Sequence, residues 1–293
     1  MSSASVLFDA PGPRARIRNW VVTALVVLIT ALALLAVLIQ MAAKDQLAVA
    51  KWRPFLTADL WRTYVLPGVQ GTLTAAAVSI VLALALGFVL GVGRLSTHSL
   101  IRWVCAVIVE FFRAVPVLIM MLFAFALYAA YDMFPSKHLA LAAVITGLTL
   151  YNGAVIAEIV RAGVHALPRG QSEAAFALGL TWGQTMRSIL LPQAITSMLP
   201  VLISQLVVVL KDTAIGYIIT FLELVRQGVQ MGTAYSNLLP ALIVVAVLMI
   251  SVNFTLSSAA TAVEARMRRS RRGPAPLDTE SVEQEGAPGA KAV

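Results

Sequence analysis

Few residues in this 293-residue chain can act through charge, and their placement is unusual. Glu110 and Arg113 stand three apart, as do Glu158 and Arg161, each pair beside or within an apolar stretch. Lys211 and Asp212 follow 23 residues without an acidic or basic side chain and precede ten more. Charges in such surroundings are costly; they mark substrate pathways or pair with one another on a helix face. The residue types for covalent or metal chemistry are scarce. The one cysteine, Cys105, can form no internal disulfide, and His98, His138 and His165 are too scattered to form a ligand cluster. The sequence has no Ser–His arrangement, H-E-x-x-H string or carboxylate pair to suggest an enzyme, and no G-x-x-x-x-G-K-[ST] phosphate loop. What remains is recognition of charge.

The elements that hold these charges are membrane spans. The chain is 59% hydrophobic and 12% charged, with a mean hydropathy of +0.86. Soluble domains are about 45–50% apolar and about 25% charged, so a water-soluble globular domain is excluded. The net charge of +8 follows from a membrane protein's loop bias and does not require nucleic acid. Six apolar stretches predict an all-α polytopic protein with spans near 20–42, 68–92, 103–128, 139–160, 193–220 and 238–263. The first is too long for a signal peptide and is expected to stay as a transmembrane helix behind a short tail, residues 1–19. Segment 223–237 is too polar to span and is expected at the outer surface. Fourteen Lys and Arg fall in segments placed inside against six outside, which puts both termini in the cytoplasm. The segment 44–66 is then an extracytoplasmic loop, 67–266 a core, and 267–293 a disordered tail. Gly87-x3-Gly91 in the second span suits close helix packing, within the chain or in a dimer.

The loop 161–192 between the fourth and fifth spans is unlike the others. Pro168 suits a first helical turn, Gln171 to Leu178 forms helix readily, and Glu173 sits near the favourable N-terminal dipole. Gly179 is placed to end that helix, and Thr181 with Gln184 has capping-box spacing for a second short helix ending before Pro192. A helix, a turn and another helix would project with Ala174, Ala175 and Phe176 partly apolar. Such a knob either inserts into a partner's groove or caps the protein's own helices.

Glu173-Ala174-Ala175, Gly179, Ile189 and Leu191-Pro192 fit E-A-A-x3-G-x9-I-x-L-P at every fixed position. The chain thereby resembles the permeases of ABC importers. Gly71-Thr72-Leu73, Glu110 to Pro116, Ala157 to Gly163, Gly170-Gln171, Lys211-Asp212-Thr213 and Glu223-Leu224 resemble motifs of the polar amino acid branch, from about Leu66 to Arg266. Ala154-Val155 and Lys211-Asp212-Thr213-Ala214-Ile215 depart from that branch's usual Ala-Tyr and K-D-T-S-L. Together with Tyr151-Asn152-Gly153 and the additional first span, they are similar to the permeases of actinobacterial glutamate importers.

The resemblance implies a type I ABC importer transmembrane domain in a bacterial cell membrane, itself no enzyme and without a cofactor. ATP and Mg would be bound by a dimer of partner ATPase subunits. A second homologous permease and an extracytoplasmic binding protein would complete the assembly, with glutamate as the expected substrate. Gly170, Gln171, Glu173, Ala174, Ala175, Phe176, Gly179, Ile189, Leu191 and Pro192 are the expected coupling residues. Arg113, Tyr151, Asn152, Glu158, Lys211, Asp212 and Thr213 are candidates for the substrate pathway. Lys211 could meet a carboxylate and Asp212 an ammonium, or the two could neutralise each other or neighbouring helices. Glu110–Arg113 and Glu158–Arg161 could equally be intrahelical pairs. An ion-coupled secondary transporter is the rival class; it would be expected to show repeated halves and would leave the loop without a role.

Overall fold

The computed structural model describes residues 12–271, with side chains through residue 262, and every described element is helical. Helix α1 (Pro13–Ala43) opens on a proline whose missing N–H is not needed in a first turn. It takes in Arg14, Arg16 and Arg18, so the end of the expected tail is part of this helix. Met41 is its one buried side chain. Short turns α2 (Val49–Trp52) and α3 (Ala58–Leu60) lead through a π turn, Trp61–Val65, into α4 (Leu66–Arg94). Ala58–Arg94 is one helical run, so the last turns of the expected 44–66 loop belong to the second span.

The third span is not one helix. It divides into α5 (Ser99–Ala114) and α6 (Val117–Ala130), bent by 99°. Proline forces the residue before it into extended backbone and supplies no N–H to the helical ladder. Val115 and Pro116 accordingly take ψ values of 127° and 134°. The 14 residues of α6 rise about 21 Å, short of a hydrocarbon core of about 30 Å.

Helix α7 (Ser136–His165) is the central post, packed against α4, α5, α6 and a later helix, α10 (Leu191–Asp212). Against α4 it comes so close that a Cβ on Gly91 would lie 2.8 Å from Val160 Cβ, and one on Gly87 2.9 Å from the Gly153 carbonyl oxygen. The Gly-x3-Gly pair therefore serves packing within the chain.

After α7 come α8 (Gly170–Ala177) and α9 (Trp182–Thr185), then a π turn at Met186–Leu190, α10, and a 3₁₀ turn at Thr213–Ile219. The second loop helix does not stop before Pro192; Trp182–Ile219 is one run. Pro192 stands two residues past the π turn, after Leu191, as Pro67 stands after Leu66 past the other. A π turn already departs from the i→i−4 ladder, so the donor that proline lacks is not missed there. Helix α11 (Leu224–Ala234) packs on α4 and on α12 (Leu238–Arg271) and is too short and polar to span, as expected.

Among the described residues five helices are long and apolar enough to cross a membrane, or six if α5 and α6 count as one broken span. Of the expected tail, residues 267–271 are helical, and 272–293 lie outside the described residues.

Candidate functional site

The loop forms the two helices joined by a sharp turn that its residues require. Gly179 has φ +78°, in the left-handed region. The Gly179 N–H donates to the Phe176 carbonyl at 2.9 Å and the Leu180 N–H to the Ala175 carbonyl at 3.1 Å. These are the two bonds of a Schellman cap, which ties off carbonyls the helix leaves open. Two residues after Gly179 the next cap begins: the Thr181 and Gln184 side chains cap each other's backbone N–H groups. Pro168 lies just outside the first turn of α8 and accepts from the Gln171 N–H.

The α8 helix presents a mixed surface. Glu173 and Ala174 are exposed, Phe176 is 49% exposed and Leu178 82%. Ala175, expected on the docking face, is instead buried against the chain. Ile189, Leu191 and Pro192 are half-buried, so they anchor the knob while its apolar tip stays uncovered. The Gln193 amide donates to Gln171 Oε1 at 3.3 Å and fastens the start of α8 to α10. Gly170 opens α8 in open space.

The two intrahelical pairs prove to be parts of one charge chain. Arg161 bonds Glu158 at 2.6 Å, Glu158 bonds Arg94 at 2.7 Å, Arg94 bonds Glu110 at 3.0 Å, and Glu110 faces Arg113 at 3.5 Å. The chain joins the end of α4, the last turns of α5 and the end of α7. Arg94 is the shared member and 12% exposed; nothing local in the sequence marked it. Arg113 is not a cation buried within a span. It lies exposed in the last turn of α5, beside the 99° bend.

The other pathway candidates are dispersed. Asn152 is fully buried; its amide donates to the Leu148 carbonyl and its Oδ1 accepts from Gln205 on α10 at 2.6 Å. Thr213 is buried and donates to the Leu210 carbonyl, and Tyr151 is half-buried. Asn152 and Thr213 are thus engaged within the bundle. Lys211 is exposed and Asp212 half-buried at the end of α10. A cleft of about 570 Å³ in the α5–α6 angle is lined by apolar side chains, with its Tyr128 and Thr146 hydroxyls bonded to each other at 2.8 Å. It offers no charge to an amino acid.

The motif residues Gly71-Thr72 and Glu223-Leu224 meet. Thr72 Oγ1 accepts from the Leu224 N–H at 3.1 Å, and Gly71 gives room for the Leu222 carbonyl. Glu223 is fully buried and caps α11, accepting from the Val225 and Arg226 N–H groups at 2.7 and 2.6 Å. Burial pushes its carboxyl up to about 7, while those two donors pull the other way.

The chain is similar to the glutamate transport system permease protein GluD of Corynebacterium glutamicum, with 53% identity over 226 residues, 77% of this chain and 83% of that one. It is 33% identical over 212 residues to the probable glutamine ABC transporter permease protein GlnP of Bacillus subtilis, covering 71% and 94%. Among solved structures, an amino acid ABC transporter crystallised with histidines superposes with a TM-score of 0.64 at 28% identity, over 75% of this chain and 97% of that one. A chain of the methionine ABC transporter MetNI shares the fold, with a TM-score of 0.60 at 21% identity. Residues 83–269 match the family described as the binding-protein-dependent transport system inner membrane component. The chain belongs to that family and is a multi-pass permease of the ABC amino acid importer class.

Proposed function

We propose that this chain is the transmembrane pathway of an ATP-driven glutamate importer and receives its motive force through α8. The observation that carries this reading is the rigidly capped knob with Phe176 and Leu178 uncovered at its tip, in a chain with no phosphate loop of its own. A separate ATPase dimer grips α8. Its closure on ATP and Mg moves the knob as a unit, and α7 and α10, continuous with the loop, carry the movement into the bundle. A ligand shifts such an equilibrium only if it binds the two states differently, which the ATP-bound and ATP-free dimers do. A second homologous permease completes the pathway, and an extracytoplasmic binding protein delivers the substrate. The excess of Lys and Arg on the loop side supports placing α8 and both termini in the cytoplasm.

The 53% identity to a glutamate permease supports glutamate over other polar amino acids. Uptake of radiolabelled glutamate by a strain lacking this chain and then complemented with it tests the substrate. Restored uptake that aspartate or glutamine fails to outcompete is the expected result. Restored uptake of another amino acid but not of glutamate contradicts the assignment.

A further inference from the structure

We propose that Arg226 is a carboxylate-binding residue of the transport pathway, its guanidinium oriented by Tyr217 and held ready for an anionic group of the amino acid carried. The proposal rests on the importer reading above. Arg226 is half-buried, and its Nε is shut off from solvent with no hydrogen-bond acceptor among the described residues. The guanidinium carbon lies 5.6 Å from the centroid of the Tyr217 ring, a cation–π arrangement that fixes the direction of the fork. Among the described residues no carboxylate lies within ion-pairing distance of it. The nearest acid in sequence, Glu223, has both oxygens engaged on the Val225 and Arg226 backbone N–H groups. A partly buried guanidinium without a counter-charge is costly, and a carboxylate answers its geometry with two parallel bonds.

Placement gives the anion its identity. Tyr217 lies in the 3₁₀ turn Thr213–Ile219 that directly follows exposed Lys211 and half-buried Asp212, and Arg226 is in the first turn of α11 beside it. The stretch 211–226 thus holds two cations, Lys211 and Arg226, and two acids, of which Glu223 is engaged on backbone N–H groups and Asp212, among the described residues, is bonded to no such donor. A dicarboxylic amino acid carries the complement, two carboxylates and one ammonium.

The complete transporter (this chain with its second permease, ATPase and binding protein) reconstituted in liposomes provides the test. Arg226→Gln is expected to lower glutamate uptake roughly tenfold or more, the scale of one charge-assisted bond, while the subunits still co-purify and the binding protein still stimulates ATP hydrolysis. Arg226→Lys keeps the charge without the fork and is expected to fold and recover part of the uptake. Inhibition by a large excess of glutamine, a weak competitor that keeps only the α-carboxylate, separates the two anionic groups. If Arg226→Gln weakens it along with glutamate uptake, Arg226 binds the α-carboxylate; if only glutamate suffers, it binds the side-chain carboxylate. Uptake within twofold of wild type in Arg226→Gln overturns the proposal and leaves the importer reading standing. Loss of co-purification in that variant also overturns it, by assigning Arg226 to a subunit contact. A wild-type assembly that carries no amino acid sinks both.

Discussion

At Gly179 a side chain would have to live at φ +78°, which costs an L-residue about 1–2 kcal/mol. Gly179→Val is therefore expected to loosen the cap of α8 and cut ATP-driven uptake severalfold, whereas Gly179→Asn, which tolerates the left-handed region, loses less. Uptake and ATPase co-purification measured side by side check this; equal activity in both variants would mean that the turn does not hold the knob. Glu223 gives a prediction in pH. Its carboxyl titrates near 7 in the folded protein, above the ordinary 4.5, so the folded state holds the proton more tightly than the unfolded one. Its contribution to stability is full below about 4.5 and is lost as pH rises through about 7. The Tm in detergent should fall by a few degrees between acidic and slightly alkaline pH, and Glu223→Gln should flatten that fall. An unchanged slope would assign it to other groups. Residue roles set by neighbours in sequence were legible: Gly179 and the Thr181–Gln184 box needed only local spacing. Asn152 and Gln205 stand 53 residues apart, and their pairing depends on how α7 meets α10.

Among elements, the charge chain ties α4, α5 and α7 at one end of the bundle, and its members should not contribute equally. Arg94 bridges two carboxylates at 2.7 and 3.0 Å from a nearly buried position, while Arg113 faces one carboxylate at 3.5 Å and is 38% exposed. Arg94→Gln is expected to cost about 2 kcal/mol or more by leaving Glu110 and Glu158 short of a partner, and Arg113→Gln about 0.5 kcal/mol. Thermal unfolding of the two purified variants decides it; equal losses would contradict the hierarchy. The sequence disclosed the i, i+3 pairs but not their union, because Arg94 joins them only through tertiary packing. Pro116 accounts for a break at Val115–Pro116, yet the proline alone does not fix its 99° angle, since α5 also packs through Val109 on Ala154, Ala157 and Leu90. The two π turns before Pro67 and Pro192 leave hydrophobic period and composition unchanged, so nothing in the residues separated a helix end from a helix that continues.

Over the whole molecule, hydrophobic patterning located the spans because lipid demands about 20 apolar residues whatever they pack against. It could not say which surfaces stay open; among the described residues, α1 and the tip of α8 are two that do. Helix α1 covers almost none of itself against the rest of the chain, and the tip of α8 leaves Phe176 and Leu178 uncovered. The first is what a lipid-facing or subunit-facing helix requires; the second carries the functional account. Phe176→Cys in a Cys105→Ser background, in the assembled transporter during glutamate uptake, tests that account most directly. Cross-linking should join residue 176 to an ATPase subunit and arrest uptake, and reduction should restore it. A residue 176 that stays freely reactive towards a water-soluble maleimide throughout turnover, and cross-links to no ATPase, would contradict force transmission through α8.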